Sequence, residues 1–197
     1  MFLLGPTLPP PTPDGSIVPE GMVHGRFQPF HLGHLEYVLE AARCCQQLIV
    51  GLTNPDPLRT RFEADDPYRS DPAANPFPYH VRCLMVQRSL VEAGVDAGRF
   101  TIVPFPIHDS HLWAHYVPTG VTHFLRVLSP WGVTKVRQLK AAGYPVVDLA
   151  REGINTISGT EVRRRWRGGD DWRALVPDAV AEIMVMIPVS GLVHRVR

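Results

Sequence analysis

The sequence reads Gly25-Arg26-Phe27-Gln28-Pro29-Phe30-His31-Leu32-Gly33-His34 between an apolar run that ends at Val23 and a segment with helical periodicity. After this decapeptide, apolar side chains recur at the spacing of one helical face: Leu35, Val38, Leu39 and Ala42. The decapeptide is therefore predicted to be the strand-to-helix turn of an α/β unit. Such a turn presents unpaired backbone N–H groups at the positive end of a helix dipole, which makes it a natural anion site.

Two histidines and two glycines give this turn its chemical character. His31 and His34 are three positions apart, which predicts that both lie on one side of the first helical turn. Gly25 and Gly33 lack a Cβ atom, so a ligand or a second backbone segment can approach closely at both ends of the turn.

The composition limits the classes of function. The chain has 197 residues, of which 45% are hydrophobic and 20% charged, and this predicts one globular domain with a real core. With a net charge of +1, there is no strong attraction to nucleic acid or to a membrane surface, so local arginines must hold any anionic substrate. No apolar run approaches the roughly 20 residues of a membrane span, and no signal peptide is recognisable, which predicts a cytoplasmic protein. Cys44, Cys45 and Cys83 lack metal-ligand spacing and are interpreted as buried thiols in helical contexts.

The order of the predicted elements indicates the fold class. Residues 1–18 are interpreted as a Pro-rich arm, disordered or lying against a neighbouring subunit, and residues 19–197 as the domain, with a helical tail from about residue 158. Further strands are predicted at 48–52, 100–104, 121–128 and 144–149, with helices between them. One helix is predicted to begin within residues 75–79 and to end at Gly94. Its side chains predicted to face the core are Val81, Leu84, Met85 and Val91. This alternation predicts a Rossmann-like, doubly wound, parallel five-stranded sheet followed by a C-terminal helical segment.

A long loop follows the second strand. Thr53 and Asn54 lie at the carboxyl end of that strand, the edge at which ligands bind in open α/β sheets. Residues 53–77 include five prolines and many charges, so the loop is either a cover over the active site or a plain surface insertion. Asp65 and Asp66 could bind a metal ion, but an exposed pair of loop carboxylates is the favoured interpretation.

The tail begins with Ile-Ser-Gly-Thr-Glu-Val-Arg-Arg-Arg at positions 157–165. Ser158 or Thr160 can cap a helix whose N-terminal amides face an anion. Arginines at a helix start are unfavourable unless a negative group compensates them, and a nucleoside triphosphate would do so. Arg164 and Arg165 are interpreted as a solvated face or a subunit contact.

Together these motifs resemble a known family. The decapeptide matches the HxGH signature of the nucleotidyltransferase superfamily in the longer form found in archaeal-type nicotinamide mononucleotide (NMN) adenylyltransferases. The tail motif and Gly-Asp-Asp-Trp-Arg-Ala-Leu-Val-Pro at 169–177 also resemble that group, so the likeness runs over about residues 22–187. The resemblance implies attack of a phosphate-type oxygen on the α-phosphate of a nucleoside triphosphate, with release of pyrophosphate. It also implies a homo-oligomer and Mg²⁺ held mainly through the nucleotide phosphates.

The resemblance assigns three sets of site residues. The catalytic set is His31, His34 and Arg163, which would contact the triphosphate and stabilise the charge that develops on it. The nucleotide-binding set is Gly25, Arg26, Phe27, Gln28, Gly33, Ser158, Gly159 and Thr160. The acceptor-binding set is Thr53, Asn54, Arg82, His108, His111 and Trp113. No protein metal ligand is assigned.

Three departures from the NMN enzymes concern the substrates. Gly51-Leu52-Thr53-Asn54 replaces a GSAQ-like sequence, Ser110 replaces an Asn before the stacking tryptophan, and Leu128-Ser129-Pro130-Trp131-Gly132 replaces a YSGN-type loop. The phosphate motifs are intact while the specificity motifs differ, so the same reaction on other substrates is predicted. The chain also resembles domains that attach CMP to small phosphonates, and we favour cytidylyl transfer to a small phosphonate or phosphate. NMN adenylyl transfer is the alternative, and a non-catalytic nucleotide-binding protein is a more distant one. A class I aminoacyl-tRNA synthetase is disfavoured because no KMSKS-like loop follows.

Overall fold

The structure is a computed structural model that describes residues 15–56, 71–149 and 157–187. Most of the predicted Pro-rich arm, the middle of the loop after the second strand and the pair Asp65 and Asp66 lie outside the described residues. The predictions made for them are therefore not assessed by the structure.

Five parallel strands form one sheet, as the sequence predicts. They are β1 (Val18–Gly25), β2 (Cys45–Thr53), β3 (Phe100–Phe105), β4 (Thr122–Leu125) and β5 (Val146–Asp148). Their order across the sheet is β3-β2-β1-β4-β5, so the chain winds outward from β1 to one edge and then returns to the other side of β1. The carboxyl end of β1 is therefore the topological switch point, where open α/β sheets bind their ligands.

Helices connect the strands. They are α1 (Leu32–Ala42), α2 (Tyr79–Glu92), the short α3 (Trp113–Tyr116), α4 (Pro130–Ala141), α5 (Gly159–Gly168) and α6 (Asp178–Val185). Short 3₁₀ turns lie at Pro72–Ala74, Ala97–Arg99, Ser110–Leu112 and Arg173–Leu175. Ser158 caps α5, as predicted, because its hydroxyl oxygen accepts a hydrogen bond from the Glu161 amide at 3.2 Å.

The sheet has an apolar core on each face, which is the doubly wound arrangement that the alternation predicts. Val23 and its neighbours pack with α1, α2, α5 and α6 on one face. Met22, the adjacent residue, faces the opposite side and packs with Phe105, Trp113 and Leu139. This alternation along β1 follows from the two-residue period of a strand.

Some sequence predictions about individual residues are wrong. Cys45 lies in β2 rather than in a helical context, because β2 begins three residues earlier than predicted. Val91 is 50% exposed, since it lies on the face of α2 that points away from the core. The fourth strand ends at Leu125, because Arg126 leaves the sheet and pairs with Glu40 of α1 at 2.8 Å.

Among the described residues, no helix is long and apolar enough to cross a membrane.

Candidate active site

A cavity of about 280 Å³ opens at the carboxyl ends of the central strands. Its lining combines the turn after β1, the end of β2 and the start of α5 with residues beyond β3 and on α4. The lining residues are His24, Gly25, Arg26, Phe27, Gln28, His34, Thr53, Asn54, Ile107, Trp131, Lys135, Ser158, Gly159, Thr160 and Arg163. The two motifs, far apart in sequence, thus meet in one cavity.

The spacing of His31 and His34 has a local structural reason. His31 is the N-cap of α1, and its ring Nδ1 accepts a hydrogen bond from the His34 amide at 3.3 Å. In return, the His34 Nδ1 accepts from the His31 amide at 3.4 Å, so the pair forms a capping box in which histidine fills both positions. The two rings stack with centroids 3.5 Å apart. Because both Nδ1 atoms are acceptors, the proton of each neutral ring is on Nε2.

Both imidazoles are held neutral. Burial, aided by the charge of Arg163, lowers the pKa of His31 to about 4. Burial is also the main reason why the pKa of His34 lies well below its usual value, and the nearby His31 adds to the fall. The carbonyl of Pro29 opposes that fall in part, because it stabilises the protonated ring. Of the two rings, His34 lines the cavity and His31 supports it from behind at 4% exposure.

Phe27 and Gly25 position His34. The Phe27 ring meets the His34 ring edge-on with centroids 4.9 Å apart. A Cβ atom on Gly25 would lie 2.7 Å from the Phe27 ring, so only glycine leaves room for it. Phe27 itself has φ of 50°, and the other non-glycine residue with positive φ in the described part of the chain, Asn54, also lines the cavity. Backbone in this region is unfavourable for residues other than glycine and is typical of functional turns.

Gln28 joins three segments of the site. Its side-chain amide donates to the Phe77 carbonyl at 3.0 Å and accepts from the Phe77 amide at 2.9 Å. The backbone carbonyl of Gln28 accepts a hydrogen bond from Arg163 Nη1 at 2.6 Å. Gly159 packs against the same carbonyl, and a Cβ atom there would lie only 2.9 Å from the oxygen. The side chain predicted to bind nucleotide is thus engaged with the pre-α2 segment, while the Gln28 backbone carbonyl contacts α5.

The start of α5 supplies anion-binding groups. Ser158, Gly159 and Thr160 all line the cavity, so the N-terminal amides of this ten-residue helix open toward it. Arg163 is 6% exposed, and burial lowers its pKa to about 10, still far above neutral pH. Arg164 donates to Glu161 at 2.9 Å and Arg165 donates to the same carboxylate at 2.7 Å, so both guanidiniums pair within α5, and neither residue lines the cavity.

The predicted acceptor residues divide into two groups. Thr53 and Asn54 line the cavity. His108 and His111 do not, although the His108 ring stacks on the lining residue Trp131 with centroids 6.0 Å apart. The expectation that Trp113 lines the acceptor pocket does not hold in this structure. Its side chain is fully buried, and its Nε1 donates to the Pro106 carbonyl at 2.9 Å, because α3 turns the indole into the core.

Arg82 also lies outside the cavity lining, and it forms a buried junction. Its guanidinium donates at 2.8 Å to the carbonyls of Arg26, Thr53 and Asn54, so it ties together the ends of β1 and β2. The side chain is 1% exposed. Three carbonyl oxygens compensate the positive charge of Arg82. A bound anion is therefore not needed to explain a basic residue near the start of α2.

The electrostatics of the cavity suit a polyanion. Arg26, Arg163 and Lys135 are cationic, and none of the described lining residues is Asp or Glu. The described residues also contain no group of three or more potential metal-ligating side chains. The arrangement can bind and orient phosphates through cations, neutral imidazole N–H groups and backbone amides.

The family model described as "Cytidylyltransferase-like" matches residues 22–165 of the chain. The chain belongs to the cytidylyltransferase-like family. The matched segment begins in β1 and ends in α5, so it contains both motifs and the cavity between them.

Curated relatives of this cytidylyltransferase-like chain are nucleotidyltransferases. A phosphonoformate cytidylyltransferase from Streptomyces viridochromogenes is 43% identical over 90% of this chain and 95% of that protein. A nicotinamide-nucleotide adenylyltransferase from Archaeoglobus fulgidus is 32% identical over 81% of this chain and 87% of that protein. These relatives show that the chain is a nucleotidyltransferase.

Solved structures confirm the fold. A bifunctional NMN adenylyltransferase/ADP ribose pyrophosphatase from Francisella tularensis matches with a TM-score of 0.61 at 17% identity, covering 81% of this chain. The cytidylyltransferase-like chain spans 45% of that longer protein. A nicotinate-nucleotide adenylyltransferase described as putative, from Vibrio parahaemolyticus, matches with a TM-score of 0.56 over 99% of its length.

Sequence reasoning assigned no site role to four residues of the cavity: His24, Ile107, Trp131 and Lys135. Of these, only Trp131 lies in a segment, residues 128–132, that the sequence comparison with the NMN enzymes had singled out. One signal was available for His24, which directly follows the apolar pair Met22-Val23 in β1 and shares the face of Met22. Lys135 gave no such signal, because α4 also carries Arg137 and Lys140, and only the fold shows which cation faces the cavity.

Buried neutral histidines should make this cytidylyltransferase-like protein sensitive to acid. Burial lowers the pKa of His123, like that of His31, to about 4, so the unfolded chain binds more protons than the native one between about pH 4 and pH 6.5. The free energy of unfolding therefore falls as the pH is lowered through this window. From pH 7 to pH 5 we expect a loss of about 2 kcal/mol for each of these two histidines, measured by urea unfolding. The His123→Leu variant should lose about 2 kcal/mol less of its free energy of unfolding over this pH range. If its free energy of unfolding depended on pH as steeply as that of the wild type, the lowered pKa of His123 would be contradicted.

Proposed function

We propose that this protein transfers CMP from CTP to a small phosphonate of the phosphonoformate type and releases pyrophosphate. The observation that carries the transfer chemistry is the single cavity in which His34, Arg26, Arg163 and the start of α5 meet. The choice of substrates is supported by the 43% identity to a phosphonoformate cytidylyltransferase over nearly the full length of both chains.

The proposed step is an in-line displacement at phosphorus. A phosphonate oxygen of the acceptor attacks the α-phosphorus of CTP, the bond to the β-phosphate oxygen breaks, and pyrophosphate leaves with its electron pair. No covalent enzyme intermediate is required, so the protein contributes positioning and charge stabilisation. His34 donates from Nε2, while Arg26, Arg163 and the α5 amides hold the phosphate oxygens on which negative charge increases.

Magnesium enters this proposal as part of the nucleotide substrate. The described lining offers cations, imidazoles and hydroxyls rather than carboxylates, and this donor set does not suit a hard divalent cation. We infer that Mg²⁺ is bound through the phosphates of CTP and through water. The predictions of a cytoplasmic homo-oligomer, made from the sequence, accompany the proposal and need separate measurement.

Pyrophosphate release tests the proposal directly. ATP, CTP, GTP and UTP are each combined with NMN, nicotinate mononucleotide, phosphonoformate, phosphonoacetate and methylphosphonate in the presence of Mg²⁺. We expect the largest kcat/KM for CTP with phosphonoformate, and a nucleotide–phosphonate product by mass spectrometry. His34→Gln serves as the negative control.

The same matrix tests the second candidate, NMN adenylyl transfer. Archaeal nicotinamide-nucleotide adenylyltransferases share about a third of their residues with this chain, including 34% in the Pyrococcus horikoshii protein. Preferred turnover of ATP with NMN would overturn the proposed phosphonate specificity and leave nucleotidyl transfer intact.

A further inference from the structure

Beside the phosphate-binding groups, the cavity has a second set of lining residues that the transfer chemistry does not use. His24 is at the end of β1, Ile107 follows β3, and Trp131 and Lys135 are on α4. Met22, two residues before His24, belongs to the apolar core on the α4 side of the sheet, and so does Ile107. The cavity therefore extends to the side of β1 on which the His24 side chain lies.

His24 is unusual in this setting because both of its ring nitrogens are buried without a hydrogen-bond partner among the described residues. The residue is 5% exposed, and its ring contacts Phe105 and His123 with centroids 5.3 and 5.7 Å away. A buried donor and acceptor without partners are costly, and native proteins retain such groups mainly where water or a ligand satisfies them. The cavity that His24 lines is the place from which such a ligand can reach it.

The charges around His24 indicate the kind of ligand. Burial, the charge of Lys135 and the neighbouring His123 all lower the pKa of His24, so the imidazole is neutral and offers one N–H donor. Lys135 makes this part of the lining positive. A neutral donor beside a cation fits one oxyanion rather than a triphosphate, for which Arg26, Arg163 and the α5 amides are available.

We propose that His24 is an acceptor-binding residue, which donates a hydrogen bond to a second oxyanion, such as a carboxylate, that the acceptor carries besides its reacting phosphonate. This inference rests on the proposed function and adds the residue that recognises the second oxyanion of the acceptor. It gives the chain a means to distinguish a phosphonate with a carboxylate from one without.

His24→Leu tests the inference, because it should change the KM for phosphonoformate but not the KM for CTP. With CTP fixed at saturation, we expect the KM for phosphonoformate to rise about 10- to 100-fold, the range for loss of a hydrogen bond to a charged group. The KM for CTP should stay within about threefold, and the preference for phosphonoformate over methylphosphonate should be lost. The melting temperature should not fall, because leucine removes two unpartnered polar atoms from an apolar cluster.

His123→Leu is the matched control. His123 is also fully buried, lies in the same cluster and has two unpartnered ring nitrogens among the described residues, but it does not line the cavity. Its replacement should leave the phosphonoformate KM within about threefold of wild type. An equal rise in both variants would mean that repacking of the cluster is responsible, and a rise in the CTP KM alone would place the nucleotide at His24; either result overturns the inference.

A separate readout distinguishes failure of the inference from failure of the proposed function. If the wild-type enzyme turns over ATP with NMN instead, the phosphonate proposal fails, and the carboxylate-acceptor class fails with it. If no combination gives turnover, imidazole ¹⁵N resonances are recorded with phosphonoformate added to the complex with a non-hydrolysable CTP analogue. A shift of the His24 resonances that methylphosphonate does not produce supports the acceptor contact, and unchanged resonances overturn it.

Discussion

His34→Gln is expected to lower kcat/KM for pyrophosphate release by about 100- to 1,000-fold, the effect of removing one preorganised donor from a developing phosphate charge. Its melting temperature should stay close to that of the wild type. Glutamine is a normal residue at the third helical position of a capping box, so its side chain can replace the Nδ1 atom that accepts from the His31 amide. The variant therefore removes the Nε2 donor and keeps the start of α1.

His115→Gln on α3 is the matched control, because it makes the same change at an exposed histidine. Its kcat/KM should equal that of the wild type. Near-normal turnover of His34→Gln would show that the cavity stabilises the reaction without this imidazole and would move the catalytic role to Arg163 and Arg26.

Arg82→Ala is expected to lower the free energy of unfolding by about 3 kcal/mol, because it removes a buried guanidinium and leaves one buried and two partly buried carbonyls without their common donor. Urea unfolding monitored by circular dichroism measures this loss. The ends of β1 and β2 carry Arg26, Thr53 and Asn54 into the cavity, so activity should fall together with stability.

Arg88→Ala on the same helix is the control, since Arg88 is exposed and its loss should change stability by less than about 0.5 kcal/mol. The two roles considered for Arg82 give different results. An Arg82→Ala protein with normal stability and a raised acceptor KM would restore the acceptor-binding role predicted from the sequence, whereas loss of stability supports the junction described here.

The elements of the fold could be predicted because their signals are local. The decapeptide, the apolar strands and the Gly-terminated helices each carry their own pattern, and parallel α/β topology follows from their alternation. The part of the cavity that the two motifs form was predictable for the same reason, since His34, Arg163 and Ser158 belong to short contiguous motifs. The β1-to-α1 turn and the α5 start then meet because both lie at the carboxyl edge of the sheet.

The positions of the other residues were less predictable, because they depend on side-chain direction across the fold. Trp113 lies in the right segment, but α3 turns its indole into the core. Arg82 contacts carbonyls 28 to 56 residues away in sequence, a set of partners that no local pattern reveals. Lys135 and Trp131 reach the cavity only because β4 is adjacent to β1 in the sheet. Such contacts are fixed by strand order, which periodicity alone does not give.

The reciprocal bonds between His31 and His34 also have an evolutionary consequence. Each side chain accepts a hydrogen bond from the other residue's backbone amide, so a replacement that lacks an acceptor at either position removes one of the two side-chain caps of α1. Most single replacements would weaken a helix end before any new chemistry could be tested by selection. New substrates are therefore reached more easily by changing the far wall of the cavity, at positions such as Trp131 and Lys135, where a side chain can be exchanged without disturbing a helix start.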